Sequence, residues 1–150
     1  MGNQKSKSYT VLPTFQGKGQ HKWIIKNWRS WLHCDSNPNG GRLVSDVFTI
    51  LMDTETESEP NLPTRWQIIA SPVKNDGEPY FALALKCLEP SHLVPNGSFY
   101  FSTSSTKFPE VALDSATSHT EPINPALHQE KNLTIKVKIK IAFFERERQE

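Results

Sequence analysis

The clearest pattern in the chain lies near its end. From Leu133 to Ile141 every odd position is apolar and every even one polar (Leu133-Thr134-Ile135-Lys136-Val137-Lys138-Ile139-Lys140-Ile141). Side chains alternate faces along a strand, so this stretch predicts one buried and one wet face; a helix would scatter the lysines around its circumference. His21 to Trp28 shows the same period, with Trp23 and Ile25 on one side and Lys22, Ile24 and Lys26 on the other. Arg65–Ala70 reads as a strand ended by Pro72 and Asn75-Asp76-Gly77, and Tyr80–Leu88 as another, with Phe81, Leu83, Leu85 and Cys87 on one face. Asn96-Gly97 reads as a turn into the strand 98–102, and Val44–Met52 as a strand or a short helical piece. Asp35 to Gly41 is dense turn chemistry, and residues 103–130, with three prolines, read mostly as loop. Residues 53–60 carry four acids and read as a solvated connection. No long amphipathic helix competes with these strands. The pattern predicts an all-β chain folded as an antiparallel β-sandwich of about 7–8 strands.

Residues 1–19 are polar and predict a flexible N-terminal arm, 20–144 the folded domain and 145–150 a charged tail. A length of 150 residues suits one core. Seventeen basic and sixteen acidic side chains leave a formal charge of +1, so any attraction to nucleic acid or membrane has to be local. The lysine face of the last strand reads as solvated or as protection of a sheet edge, and no nucleic acid partner is expected. Trp23 and Trp66 are expected in the core, with Trp31 exposed.

Met1-Gly2-Asn3-Gln4-Lys5-Ser6 fits the pattern for acylation of Gly2, with Lys5 and Lys7 beside it. Together with the lack of any long apolar run, this points to a cytoplasmic chain held peripherally at a membrane by N-myristoylation. Cys34 and Cys87 lack metal-ligand spacing, and none of His21, His33, His92, His119 and His128 pairs with another at such spacing. No metal or cofactor is expected. No nucleophile elbow, phosphate loop or HExxH motif is present, and Ser115 and His119 sit without a supporting pattern, so the chain reads as non-catalytic.

The order of the strand motifs resembles the MATH (meprin and TRAF homology) family. Trp23, Ile25, Asn27 and Trp28 match its opening strand; Ser45 and Phe48 the next; Trp66, Ile68 and Pro72 a third. Gly77, Tyr80, Phe81, Ala82, Leu83 and Leu85 match a fourth, Phe99 and Phe101 a fifth, and Leu133, Thr134, Ile135, Val137 and Ile139 the closing strand. The likeness spans 20–142 and is nearest to the speckle-type POZ protein subgroup. It implies a TRAF-like sandwich that binds an extended peptide of a protein partner, as an adaptor in ubiquitin-ligase or receptor-type signalling assemblies. Carried over by position, the peptide site would comprise Phe99, Phe101 and Ala84, the last standing where the subgroup has a groove tyrosine. The chain departs from the family between Phe101 and Leu133, where the usual Trp-containing segment is shortened and Phe108 is the sole aromatic. Two readings from other classes stand beside this one. The first is a membrane-associated, self-assembling structural protein, built like a small viral matrix protein and anchored through acylated Gly2. The second is a small hydrolase using Ser115 or His119.

Overall fold

A computed structural model of the chain describes residues 15–32, 41–54, 62–90, 93–115 and 117–145. Nine strands lie among them: β1 (Phe15–Ile25), β2 (Leu43–Val44), β3 (Phe48–Thr54), β4 (Leu62–Asn75), β5 (Glu78–Glu89), β6 (Leu93–Ser102), β7 (Val111–Leu113), β8 (Thr117–His119) and β9 (Leu133–Glu145). A short helix α1 (Trp28–Leu32) and a 3₁₀ turn (Pro125–Leu127) complete the elements. All pairing is antiparallel. One sheet runs β7-β6-β9-β1 and the other β3-β4-β5-β8, with β2 also on β4. The two meet at one corner, where β1 pairs β3 through Phe15↔Thr54 and Gln16↔Asp53. This is the expected all-β sandwich.

β9 is the longest-paired element of the first sheet. It is flanked by β1 from Phe15↔Phe143 to Ile25↔Leu133 and by β6 from Leu93↔Glu145 to Ser102↔Lys136. Its odd residues from Leu133 to Phe143 are all buried and meet Trp66, Ile68, Phe81, Leu83, Leu85, Phe99 and Phe101 in one core. The buried hydroxyls there are satisfied, as low-dielectric surroundings demand. Trp66 Nε1 donates to Thr64 Oγ1 at 2.7 Å, and that hydroxyl donates to the Ile50 carbonyl at 2.7 Å. Ser45 fills the gap between β2 and β3. Its N–H donates to the Ile68 carbonyl and its Oγ accepts from the Ile68 N–H, each at 2.9 Å.

Those two bonds explain why β4 runs on past Pro72 where the sequence predicted an end. They turn the main-chain groups of Ile68, and hence of every even position beyond it, away from β5. Pairing of β2 stops at Leu43↔Ala70, so the missing N–H of Pro72 falls on the unpaired side. β4 then turns into β5 through Asp76 (φ 52°) and Gly77 (φ 81°), a two-residue hairpin in which both central residues are left-handed.

Other boundaries also differ from the sequence reading. Residues 15–19, expected in the arm, belong to β1; a Cβ on Gly19 would lie 2.8 Å from Ile50 Cγ2, so glycine lets β1 close on β3. Trp28 opens α1 and does not extend β1, because Asn27 takes φ 51° and turns the chain. Asn96 and Gly97 lie inside β6 and form no turn. Gly97 is opposite Ile141 and Leu113, and a Cβ there would lie 2.2 Å from the Lys140 carbonyl oxygen, so the glycine marks a close approach of β6 to β9. The stretch 103–130 holds β7, β8 and the 3₁₀ turn. Trp31, expected exposed, is half-buried, and its Nε1 donates to the Gly41 carbonyl. The residues of the expected acylation site at Gly2, the acidic stretch from 55 to 60, His33, Cys34, His92 and the tail beyond Glu145 lie outside the described residues.

The irregular segment 120–130 is fastened through α1. Trp28, fully buried, donates from Nε1 to the Glu130 carbonyl at 2.8 Å. Arg29 covers the Trp28 ring at 4.9 Å and donates to the carbonyls of Pro125 and His128. His128 is wholly buried against Trp28, Phe81 and Phe108, with Nε2 2.8 Å from Thr103 Oγ1 and Nδ1 without a partner.

Two expectations follow. Gly97→Ala places a methyl group against main-chain atoms that cannot rotate aside, and is expected to cost about 3 kcal/mol or more; thermal unfolding followed by circular dichroism measures it, against a Gly77→Asn control that meets no neighbour and bears only the smaller strain of a left-handed Asn. Desolvation holds the His128 imidazole below its ordinary pKa, with Glu130 opposing, and does the same to His21, which stacks on Phe48 at 4.0 Å. Such a histidine binds fewer protons folded than unfolded. Its share of stability is full above pH of about 6.5 and is lost as the pH falls below that value. Urea unfolding across this range should show acid destabilisation that His128→Gln flattens.

Candidate functional site: the open edge of the sandwich

The residues that the resemblance nominates do not present side chains to a partner. Phe99 and Phe101 are 1% and 0% exposed, packed edge-to-face at 5.4 Å inside the core. Ala84 faces outward from β5 but is only 3% exposed, opposite Ile69 on β4 and His119 on β8. A site built on these three side chains is therefore closed. The alternation of β6 accounts for it: Phe99 and Phe101 share the inward parity, and Ser98 and Tyr100 the outward one.

The nearby opening lies between the two outermost strands, β7 and β8. Among the described residues β7 pairs only with β6, from Gly97↔Leu113 to Phe99↔Val111, and β8 only with β5, from Ala84↔His119 to Lys86↔Thr117. Beyond β8 the chain keeps to β5 irregularly. Thr120 N–H donates to the Leu83 carbonyl at 2.8 Å, and Phe81 and Ile123 exchange main-chain bonds of 3.2 and 2.6 Å. The segment 108–112 on one side and 119–124 on the other thus form the walls of a groove of about 620 Å³.

Its lining is chemically mixed. Tyr80, Phe108, Val111 and Ile123 supply apolar surface, while Glu110, Glu121 and His119 supply the titratable groups, with no lysine or arginine in the wall. Phe108 is held by its own N–H to the Phe101 carbonyl at 3.0 Å and by its ring on His128. Ile123 is buried and Tyr80 and Val111 are half-buried, so the apolar strip is anchored to the core and partly open. Each wall also carries a strand edge with no partner strand among the described residues, and such edges offer main-chain donors and acceptors to an incoming strand. Of these groups Tyr80, Phe108 and His119 stood out in sequence, Tyr80 within a strand motif, Phe108 as a lone aromatic and His119 as a catalytic alternative, and none as part of a groove. Nothing local marks 110–112 or 119–121 as facing each other, since the contact joins two sheets.

The catalytic alternative finds no assembled geometry. Ser115 Oγ donates to the Thr117 carbonyl at 2.9 Å, and no hydrogen bond among the described residues joins it to His119. Burial pushes the Cys87 thiol up to about 11, with the Glu89 carbonyl opposing slightly, so it is protonated at neutral pH and a poor nucleophile. Among the described residues no group of three His, Cys, Asp or Glu side chains could hold a metal ion, and no helix is long and apolar enough to cross a membrane. No model of a known protein family matches the chain, and no curated protein matches it either.

Proposed function

We propose that the chain is a non-catalytic, MATH-like protein-interaction module that takes an extended segment of a partner protein into the groove between 108–112 and 119–124. The observation that carries this reading is the pair of unpartnered strand edges flanking one apolar strip. An extended peptide there gains main-chain bonds from an edge and selectivity from alternate side chains set against Tyr80, Val111 and Ile123. The MATH resemblance supports the reading in a second way. Its six motif pieces fall in order on β1 with the start of α1, on β3 with Ser45 before it, and on β4, β5, β6 and β9. On that likeness the module serves as an adaptor within a larger assembly.

The site is displaced from the one expected. Phe99, Phe101 and Ala84 act beneath the surface as packing, and the binding strip is lined by residues one strand further out. The Ser/Thr-rich peptides of the complete family groove are then not the best ligands. Glu110 and Glu121 favour a segment with an apolar anchor and an arginine or lysine close to it.

Titration of such peptides into isotopically labelled protein, read by chemical shifts, tests this. A basic apolar peptide is expected to shift residues 110–112 and 119–123, with Kd on the order of tens of micromolar given the small buried area. Tyr80→Ala should weaken binding by about tenfold, the scale of one aromatic anchor. Shifts confined elsewhere, or binding indifferent to Tyr80→Ala, would place the site wrongly.

A further inference from the structure

We infer that the outer face of the β6-β9-β1 layer is a docking surface for anionic lipid headgroups. This goes beyond the peptide groove and rests on a different observation, the register of the lysines. β1 and β9 set Lys18 directly opposite Lys140 and Lys22 directly opposite Lys136, with Gln20 opposite Lys138. All five lysines are exposed. Like charges placed directly opposite on one face work against the sheet they sit on. The three strands themselves do not relieve them: the outward positions from Gln16 to Ile24, from Asn96 to Ser102 and from Thr134 to Ala142 contain no carboxylate. Glu110, at the β7 border, lines a depression with Lys18, Lys138 and Lys140 and accepts from Ser98 Oγ at 2.9 Å, a single carboxylate beside the stripe. In a chain of formal charge +1, five lysines on three adjacent rungs therefore make a strongly local positive field.

Edge protection does not account for the arrangement. A free edge is guarded by lysines on the edge strand, and Lys18 and Lys22 of β1 suffice for that. Lys136, Lys138 and Lys140 stand on β9, which is paired on both sides. Their repetition at alternate positions, about 7 Å apart along the strand, builds a flat charged plane. A plane suits a surface ligand better than a strand of nucleic acid, which takes a groove or a stacking platform. The ring among the lysines, Tyr100, is already covered by Lys107 at 4.4 Å.

Apolar side chains at the two ends of the stripe complete the fit to lipid. Ile24 continues the outward row of β1 and is 49% exposed. Leu51 of β3, 59% exposed, lines a shallow depression with Gln16, Lys18, Asn96 and Lys140 at the sheet corner. Lysines flanked by exposed aliphatic groups match a membrane interface, where headgroups take the charge and the acyl boundary takes the apolar tips.

The test uses the full, unacylated chain, so that lipidation at Gly2 plays no part. Sedimentation is measured with vesicles of equal parts phosphatidylcholine and phosphatidylserine, and with phosphatidylcholine alone. Binding is expected only to the anionic vesicles and should fall with salt. The triple variant Lys18→Gln/Lys138→Gln/Lys140→Gln should lose roughly fivefold per lysine, on the order of a hundredfold in all. Its melting temperature should not fall, because the variant relieves the Lys18–Lys140 repulsion. A charge-matched control on the other sheet and just before its strand β2, Arg42→Gln/Lys74→Gln/Lys86→Gln, should bind as the parent does. Equal loss in both triples, or no preference for the anionic vesicles, overturns the assignment. So does tighter binding to a single-stranded oligonucleotide that competes with the vesicles and depends on the same lysines, which would give the face to nucleic acid.

Discussion

The structure depends on the two-faced alternation of β9. Its inward aliphatic row is held between two neighbours in one sheet and against the facing sheet, each such side chain contributing roughly 1.5–3 kcal/mol on burial. The strict period of two leaves the register no freedom, since a shift of one residue would bring Lys136, Lys138 and Lys140 into the core. The same constraint fixes the outer surface. Once the odd positions are committed to the core, the even ones have to form a single charged plane, and β1 adds its own lysines to that plane by pairing in register.

The second sheet and its appendages solve a different problem, which is how to close a sandwich whose two last edges are short. β7 and β8 have only three residues each, too few to cover the side of the core by themselves. The segment after β8 closes it instead, tied to β5 at Leu83 and Phe81 and to α1 through Trp28 and Arg29. That closure is partial. It buries His128 without a partner for Nδ1 and leaves the apolar strip of Tyr80, Val111 and Ile123 half open. The groove thus follows from edges too short to pair with each other, and it is their unpartnered main chain on which the proposed binding of an extended segment rests.

Much of this was legible in the chain. The β9 alternation, the inward faces of β1 and β5, and the Asp76-Gly77 hairpin are local signals, and each is found where the sequence put it. Glycine was ambiguous because it serves two purposes. Asn96-Gly97 reads as a turn, yet Gly97 is needed where two backbones nearly touch; Gly17 and Gly19 read as a loose arm, yet they lie in a strand. The core roles of Trp28 and His128 depend on contacts about a hundred residues apart, as in the Trp28–Glu130 bond, and no window of sequence contains both partners. The burial of the residues that the resemblance nominated was missed for a related reason. Position within a family motif named Phe99 and Phe101, whereas the period of β6 already set both rings inward.

Amide hydrogen exchange on the free protein tests most directly whether β9 is the centre on which the rest is built. If it is, the β9 amides from 134 to 142 and their partners in β1 and β6 exchange slowest, through global unfolding only, while 111–113 and 117–121 at the open edge exchange by local opening orders of magnitude faster. Protection at the open edge equal to that of β9, or early exchange within β9, would contradict the account.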